Sequence, residues 1–259
     1  MRIVKWLANL ALQTVLCSTF GWSQGITVAA AADLNAALSE LAANYQKQTG
    51  KTANLAFGSS GNLFNQIQNG APFDLFFSAD EDYSKQLVTA GLAEPSSFYR
   101  YAVGRLVLWV PASSPLDIEH VGMNVLLEPS AKKIAIANPQ HAPYGRAAVA
   151  ALRHFGIYER VAERLVLGEN ASQAAQFVES GNAQVGIVAL SLALAPAMHG
   201  EGHYWEIPAD AYPVLNQAVV ILAHSAHKRD AAAFLEYLKK PEAIAVLQRY
   251  GFAVPEEKH

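Results

Sequence analysis

Short apolar runs alternate with helical periods along most of this chain. Ile26 to Ala31 is brief and almost wholly apolar, and reads as a buried strand. Leu34, Ala37, Leu38, Leu41 and Tyr45 then recur at helical spacing until Gly50. Ala53 to Phe57 predicts a second strand. The loop Gly58-Ser59-Ser60-Gly61 leads from it into a helix carrying Leu63, Phe64 and Ile67. Asp74 to Phe77 predicts a third strand, followed by a helix over Glu81 to Ala90. Such β-α-β-α order argues for parallel sheets covered by helices on both faces.

A second unit begins near Arg105. Leu106 to Val110, Ile134 to Ala137, Leu165 to Leu167 and Val185 to Val188 read as strands, with helices over Gly145 to Phe155 and Ala171 to Ser180. The tail resumes the alternation of the first unit, with a strand over Val219 to Leu222 and then helices over Ala231 to Lys239 and Glu242 to Arg249, split at Pro241. This order fits two α/β lobes, the second inserted in the first. The expected division is a leader over 1–24, one lobe from 25–103 and 213–259, and another over 104–212.

The leader stands apart in pattern. Arg2 and Lys5 precede the apolar run Trp6 to Phe20, and small residues follow near Ser23. That is the signature of a cleaved export signal, and it is short for a bilayer span. The single cysteine, Cys17, lies within it, so the exported chain is expected to hold neither disulfides nor thiolate chemistry. Without Arg2 and Lys5, 17 basic side chains face 22 acidic ones, a net charge of −5 with no basic run. Nucleic acid is therefore not an expected partner.

Four loops share one design, each leaving a strand and opening a helix with small or polar residues. They are Ala31-Ala32-Asp33, Gly58-Ser59-Ser60-Gly61, Pro143-Tyr144-Gly145 and Glu169-Asn170-Ala171-Ser172. A helix start carries unpaired backbone N–H groups and partial positive charge, which suits an anion. Small residues let a ligand approach the backbone. Each loop alone reads more readily as ordinary capping than as a site, with Ser59, Ser60 and Asn170 as caps. Other chemistry is not expected. The Ser60 loop lacks the nucleophile-elbow spacing that a Ser60-His141-Asp80 triad would need, no phosphate-binding glycine motif occurs, and Gly200 and Gly202 argue against a helical metal pair at His199 and His203. No catalysis and no cofactor are expected.

At these loops the chain resembles the periplasmic molybdate-binding proteins of ABC transporters. The resemblance is carried by AAADL (Ala30 to Leu34), FGSSGNL (Phe57 to Leu63), NGAPFDLFFSAD (Asn69 to Asp80), NPQHAPYG (Asn138 to Gly145), GENASQA (Gly168 to Ala174), GIVALS (Gly186 to Ser191) and RYGF (Arg249 to Phe252). It implies the two-lobed type II binding-protein fold, each lobe a mainly parallel sheet, closing over a dehydrated oxyanion. It also implies a periplasmic monomer that delivers molybdate or tungstate to an inner-membrane ABC permease. Residue by residue, the implied contacts are Ala32, Asp33, Ser60, Tyr144 and Ala171, with Ser59, Asn170 and Ala189 behind them. Molybdenum or tungsten would be met only as the bound oxyanion.

Two positions depart from the family pattern. Many members place a donor tyrosine where this chain has Ala189, which leaves the Tyr144 hydroxyl as a replacement donor. Members usually carry serine or asparagine where Asp33 stands. Three readings of Asp33 follow: it caps its helix and offers only its N–H; it accepts a proton from a phosphate- or arsenate-like ligand; or it coordinates the central atom directly. An organic solute is a further alternative, although the loops offer only Tyr144 as an aromatic platform. Arg146 is expected to face solvent.

Overall fold

The computed structural model describes residues 25–255; the expected leader and its cysteine lie outside them. The chain runs β1 (Ile26–Ala31), α1 (Asn35–Thr49), β2 (Ala53–Gly58), α2 (Ser60–Gln68), β3 (Leu75–Ser78), α3 (Glu81–Thr89) and β4 (Tyr99–Gly104). It then crosses into β5 (Leu106–Pro111), α4 (Ile118–Val121), β6 (Ile134–Ala137), α5 (Pro143–His154), α6 (Tyr158–Val161), β7 (Leu165–Gly168), α7 (Ala171–Glu179), β8 (Val185–Ala189), α8 (Leu190–Ala193) and β9 (Gly202–Glu206). It returns through β10 (Leu215–Ile221), α9 (Lys228–Leu238) and α10 (Pro241–Arg249).

Two five-stranded sheets result, ordered β2-β1-β3-β10-β4 and β7-β6-β8-β5-β9. Each is a lobe. In the first, β2, β1 and β3 are parallel, and β10 lies antiparallel between β3 and β4. In the second, β7, β6 and β8 are parallel, and β5 runs antiparallel to both β8 and β9. Each sheet is thus mixed but mainly parallel, as expected, with one strand, β10 or β5, running against the other four. The added strands are the ones that carry the chain between lobes, β4, β5 and β10, together with the edge strand β9.

Period-two alternation explains why both faces of the first sheet are covered. On β1, Ile26, Val28 and Ala30 face a core with α1, α9 and α10, built around Leu38, Leu41, Tyr45, Phe77 and Phe234. Ala29 and Phe76 face the opposite way, onto Leu63, Phe64 and Ile67 of α2 and Leu87 of α3. The second lobe has its own core around Trp109, Ile134, Ile136, Leu152, Val178 and Val185. The ends of β1, β2 and β3 and the starts of α5 and α7 converge on one cavity between the lobes.

Candidate functional site

A cavity of about 10 Å3 lies where those helix starts meet. Its wall comes from the end of β1 and the following turn (Ala31, Ala32, Asp33), from Gly58, Ser59, Ser60 and Ala79 in the same lobe, and from Ala142, Pro143, Tyr144 and Ala171 in the other. All five residues expected to contact a ligand line it. Asn170 and Ala189 do not; Asn170 caps α7, and Ala189 stands before α8 without a side-chain bond. Pockets for organic molecules begin at roughly 300 Å3, so this void is far too small for one. Larger hollows, such as one of about 490 Å3 between α2 and α3, are open surface and share none of these residues.

The donors are arranged by capping. Ser59 Oγ accepts from Asn62 N–H at 3.3 Å and starts α2 at Ser60, whose own N–H has no acceptor within the helix. Ser60 is fully buried, and its Oγ accepts from Ala79 N–H at 3.0 Å. No described residue receives the Ser60 hydroxyl proton, which leaves it for an anion in the cavity. Asn170 Oδ1 accepts from Gln173 N–H at 3.0 Å and starts α7 at Ala171. Pro143 starts α5, bringing the Tyr144 N–H into its first turn.

Asp33 corrects one expectation. Its side chain caps no helix: Ala31 and Leu34 stand at the cap positions, without side-chain bonds. Instead Asp33 Oδ2 accepts from Gln217 Nε2 at 2.6 Å. The Tyr144 hydroxyl lies beside the same carboxylate and accepts from Gln217 Nε2 at 3.2 Å. Gln217 Oε1 in turn accepts from the Tyr101 hydroxyl at 2.7 Å. Burial raises Asp33 to about 6 against the pull of these bonds. The same burial holds the hydroxyls of Tyr101 and Tyr144 well above their ordinary range, so both stay protonated. Tyr144 thus keeps its hydroxyl proton, and its hydroxyl oxygen is already engaged by Gln217 Nε2. Its backbone N–H and its place in the wall remain.

Gln217 was not among the candidates read from the sequence. It lies within β10, whose predicted start at Val219 excluded it, and no motif marks it. The structure also reveals direct contacts across the lobes. Gly61 N–H donates to His141 O at 2.9 Å, and His141 Nδ1 lies 2.8 Å from Ser59 Oγ. Ser172 Oγ donates to Ala32 O at 2.8 Å, and Ser191 Oγ to Asp33 O at 2.7 Å. A Cβ on Gly61 would come within 2.7 Å of His141 O. The lobes are closed around the cavity. Arg146, expected to face solvent, is partly exposed but pairs with Asp80 Oδ2 of the first lobe at 2.5 Å and sits over the Tyr83 ring, 5.6 Å from its centroid. His199 lies in a turn, whereas His203 lies on β9 beside Glu119. Among the described residues no three of His, Cys, Asp and Glu gather to hold a metal ion.

Residues 26–253 match the family described as bacterial extracellular solute-binding protein. The molybdate-binding protein ModA of Rhodobacter capsulatus is 38% identical over 227 residues, covering 88% of this chain and 87% of that protein. The molybdate-binding protein ModA of Azotobacter vinelandii is 37% identical over 95% of this chain and 96% of its own. The solved structure of the Azotobacter vinelandii periplasmic molybdate-binding protein superposes with a TM-score of 0.84, covering 89% of this chain and all of that one.

Proposed function

The chain belongs to the bacterial extracellular solute-binding proteins, and from that premise we propose that it captures molybdate or tungstate in the periplasm and delivers it to an ABC permease. The reading rests on one observation above others: uncharged donors from both lobes line a void too small for an organic solute. Size and hydrogen-bond geometry would then select the ion, so molybdate and tungstate would be nearly equivalent and the smaller sulfate would fit poorly. The relatives named for molybdate binding support the same choice. Binding, and not turnover, is the activity this wall of backbone N–H groups and one serine hydroxyl serves. The protein would work as a monomer.

A second reading has a specific observation behind it. The Asp33 carboxyl in the wall would accept a hydrogen bond from a protonated oxyanion such as phosphate or arsenate. Thermal unfolding of ligand-stripped protein against a panel of molybdate, tungstate, sulfate, phosphate, amino acids and sugars decides among these. A ligand at 100 times its dissociation constant adds about 2.7 kcal/mol. Molybdate and tungstate are expected to raise the melting temperature most. Ser60→Ala, which removes one hydroxyl donor, should weaken molybdate by about 1–3 kcal/mol. A rise with sugars or amino acids alone would refute the proposal.

A further inference from the structure

The cavity that collects donors for an anion also contains a carboxyl group. Asp33 lies on the turn between β1 and α1, only 2% exposed. Every element packed on it presents a neutral group. From β10 comes Gln217, from α5 the Tyr144 hydroxyl, and from β4 the Tyr101 hydroxyl, acting through Gln217. From α8, Ser191 bonds the Asp33 carbonyl, and from α7, Ser172 bonds the carbonyl of Ala32. Tyr101 and Tyr144 are the titratable groups in this set. Among the described residues Asp33 has no ion pair, and the guanidinium of Arg146 is engaged outside the cavity by Asp80.

We propose that the protein takes up its tetrahedral dianion together with one proton, which Asp33 holds, so that a neutral carboxylic acid becomes one more donor in the wall. The inference rests on the oxyanion reading above. Its physical ground is that closure expels water and encloses the dianion beside Asp33 with no cation to offset two like charges. Gln217 Nε2 holds Oδ2 as an acceptor, which leaves Oδ1 to carry the proton. The proton comes from solvent, no bond of the anion breaks, and the ligand leaves unchanged when the lobes reopen. Burial already moves the empty site in this direction. Proton and anion are then linked: affinity falls as pH rises, by about tenfold per unit above the Asp33 pKa.

Calorimetry of the ligand-stripped full chain with sodium molybdate tests this directly. Titrations at about pH 8, in two buffers of different ionisation heat, count the protons taken up. Molybdate stays dianionic there, so any proton taken up goes to the protein. The expected result is close to one proton per anion, and a dissociation constant that rises about tenfold per pH unit between roughly pH 7 and pH 9. Asp33→Asn should bind without proton uptake and with nearly constant affinity over that range. Binding by the wild type with no uptake and no pH dependence overturns the inference while leaving the oxyanion reading intact. So does full uptake retained in Asp33→Asn, or phosphate bound more tightly than molybdate with no uptake, since its own proton would then serve Asp33. If Asp33→Asn does not fold, the infrared difference spectrum of the wild type on adding molybdate must gain the band of a protonated carboxyl; its absence is equally fatal. No heat with any of the oxyanions removes the oxyanion reading itself, and this inference with it.

Discussion

At the scale of single residues, Asp33 decides how the site can work. A dianion about 4 Å from an ionised carboxylate is repelled by about 8 kcal/mol at an effective dielectric of about 20. Protonating a group whose pKa is about 6 costs only ~1.4 kcal/mol at pH 7. Protonation is the smaller cost. The same residue leaves a mark on the empty protein. Its carboxyl sits near 6 in the closed fold and near 3.9 in an unfolded chain. A raised carboxyl contributes stability that is complete below about pH 4 and lost as pH rises through about 6. The loss is ~3 kcal/mol at most, less whatever lobe opening relieves. Melting of ligand-free protein should therefore show wild type losing stability relative to Asp33→Asn between pH 4 and pH 7, roughly. Parallel curves for the two proteins would mean that Asp33 is hydrated in solution.

At the scale of elements, the site was legible where the chain repeats one device and illegible where it does not. The loops before α1, α2, α5 and α7 read from small residues at strand ends, and all four reach the cavity. The reach of Gln217 could not be read. It meets Asp33 only because β10 returns 184 residues later to lie between β3 and β4. Two strands lacked a pattern to betray them: β9, Gly-His-Tyr-Trp-Glu, is an edge strand with no buried residue, and β4 mixes Tyr99, Arg100 and Gly104 with apolar positions. The end of β4 also shows why a glycine sits at the crossing. A Cβ on Gly104 would lie 2.2 Å from Tyr144 Oη and 2.8 Å from Gln217 Nε2. Gly104→Ala should thus obstruct closure without disturbing either core. The expected result is molybdate affinity reduced about tenfold or more, equivalent to ~1.4 kcal/mol, with the ligand-free melting temperature nearly unchanged. Unaltered affinity would show that Tyr144 need not come so close.

At the scale of the whole molecule, closure brings together two lobes that each have a core of their own. The contacts between them fall into an inner set around the cavity and an outer clasp. Ser172, Ser191 and His141 make the inner set with backbone or hydroxyl partners that are at least partly buried. Arg146 on Asp80 makes the clasp, with both side chains partly in water. An ion pair so exposed is worth about 0.2–1 kcal/mol and is screened by salt. Arg146→Gln should accordingly speed anion release by at most about fivefold in dilute buffer, and hardly at all near 1 M salt. Stopped-flow displacement at both ionic strengths measures this. A loss of binding altogether would move Arg146 from the rim into the site.

The proposed function requires an anion resting against helix starts from both lobes. A crystal of the protein grown with tungstate tests that most directly, because tungsten scatters anomalously and reports its own position. The prediction is a single strong anomalous peak inside the cavity, with tungstate oxygens within hydrogen-bond distance of the Ser60 hydroxyl and of the N–H groups of Ser60, Tyr144 and Ala171. A saturated crystal with the peak elsewhere, or with none, would contradict it.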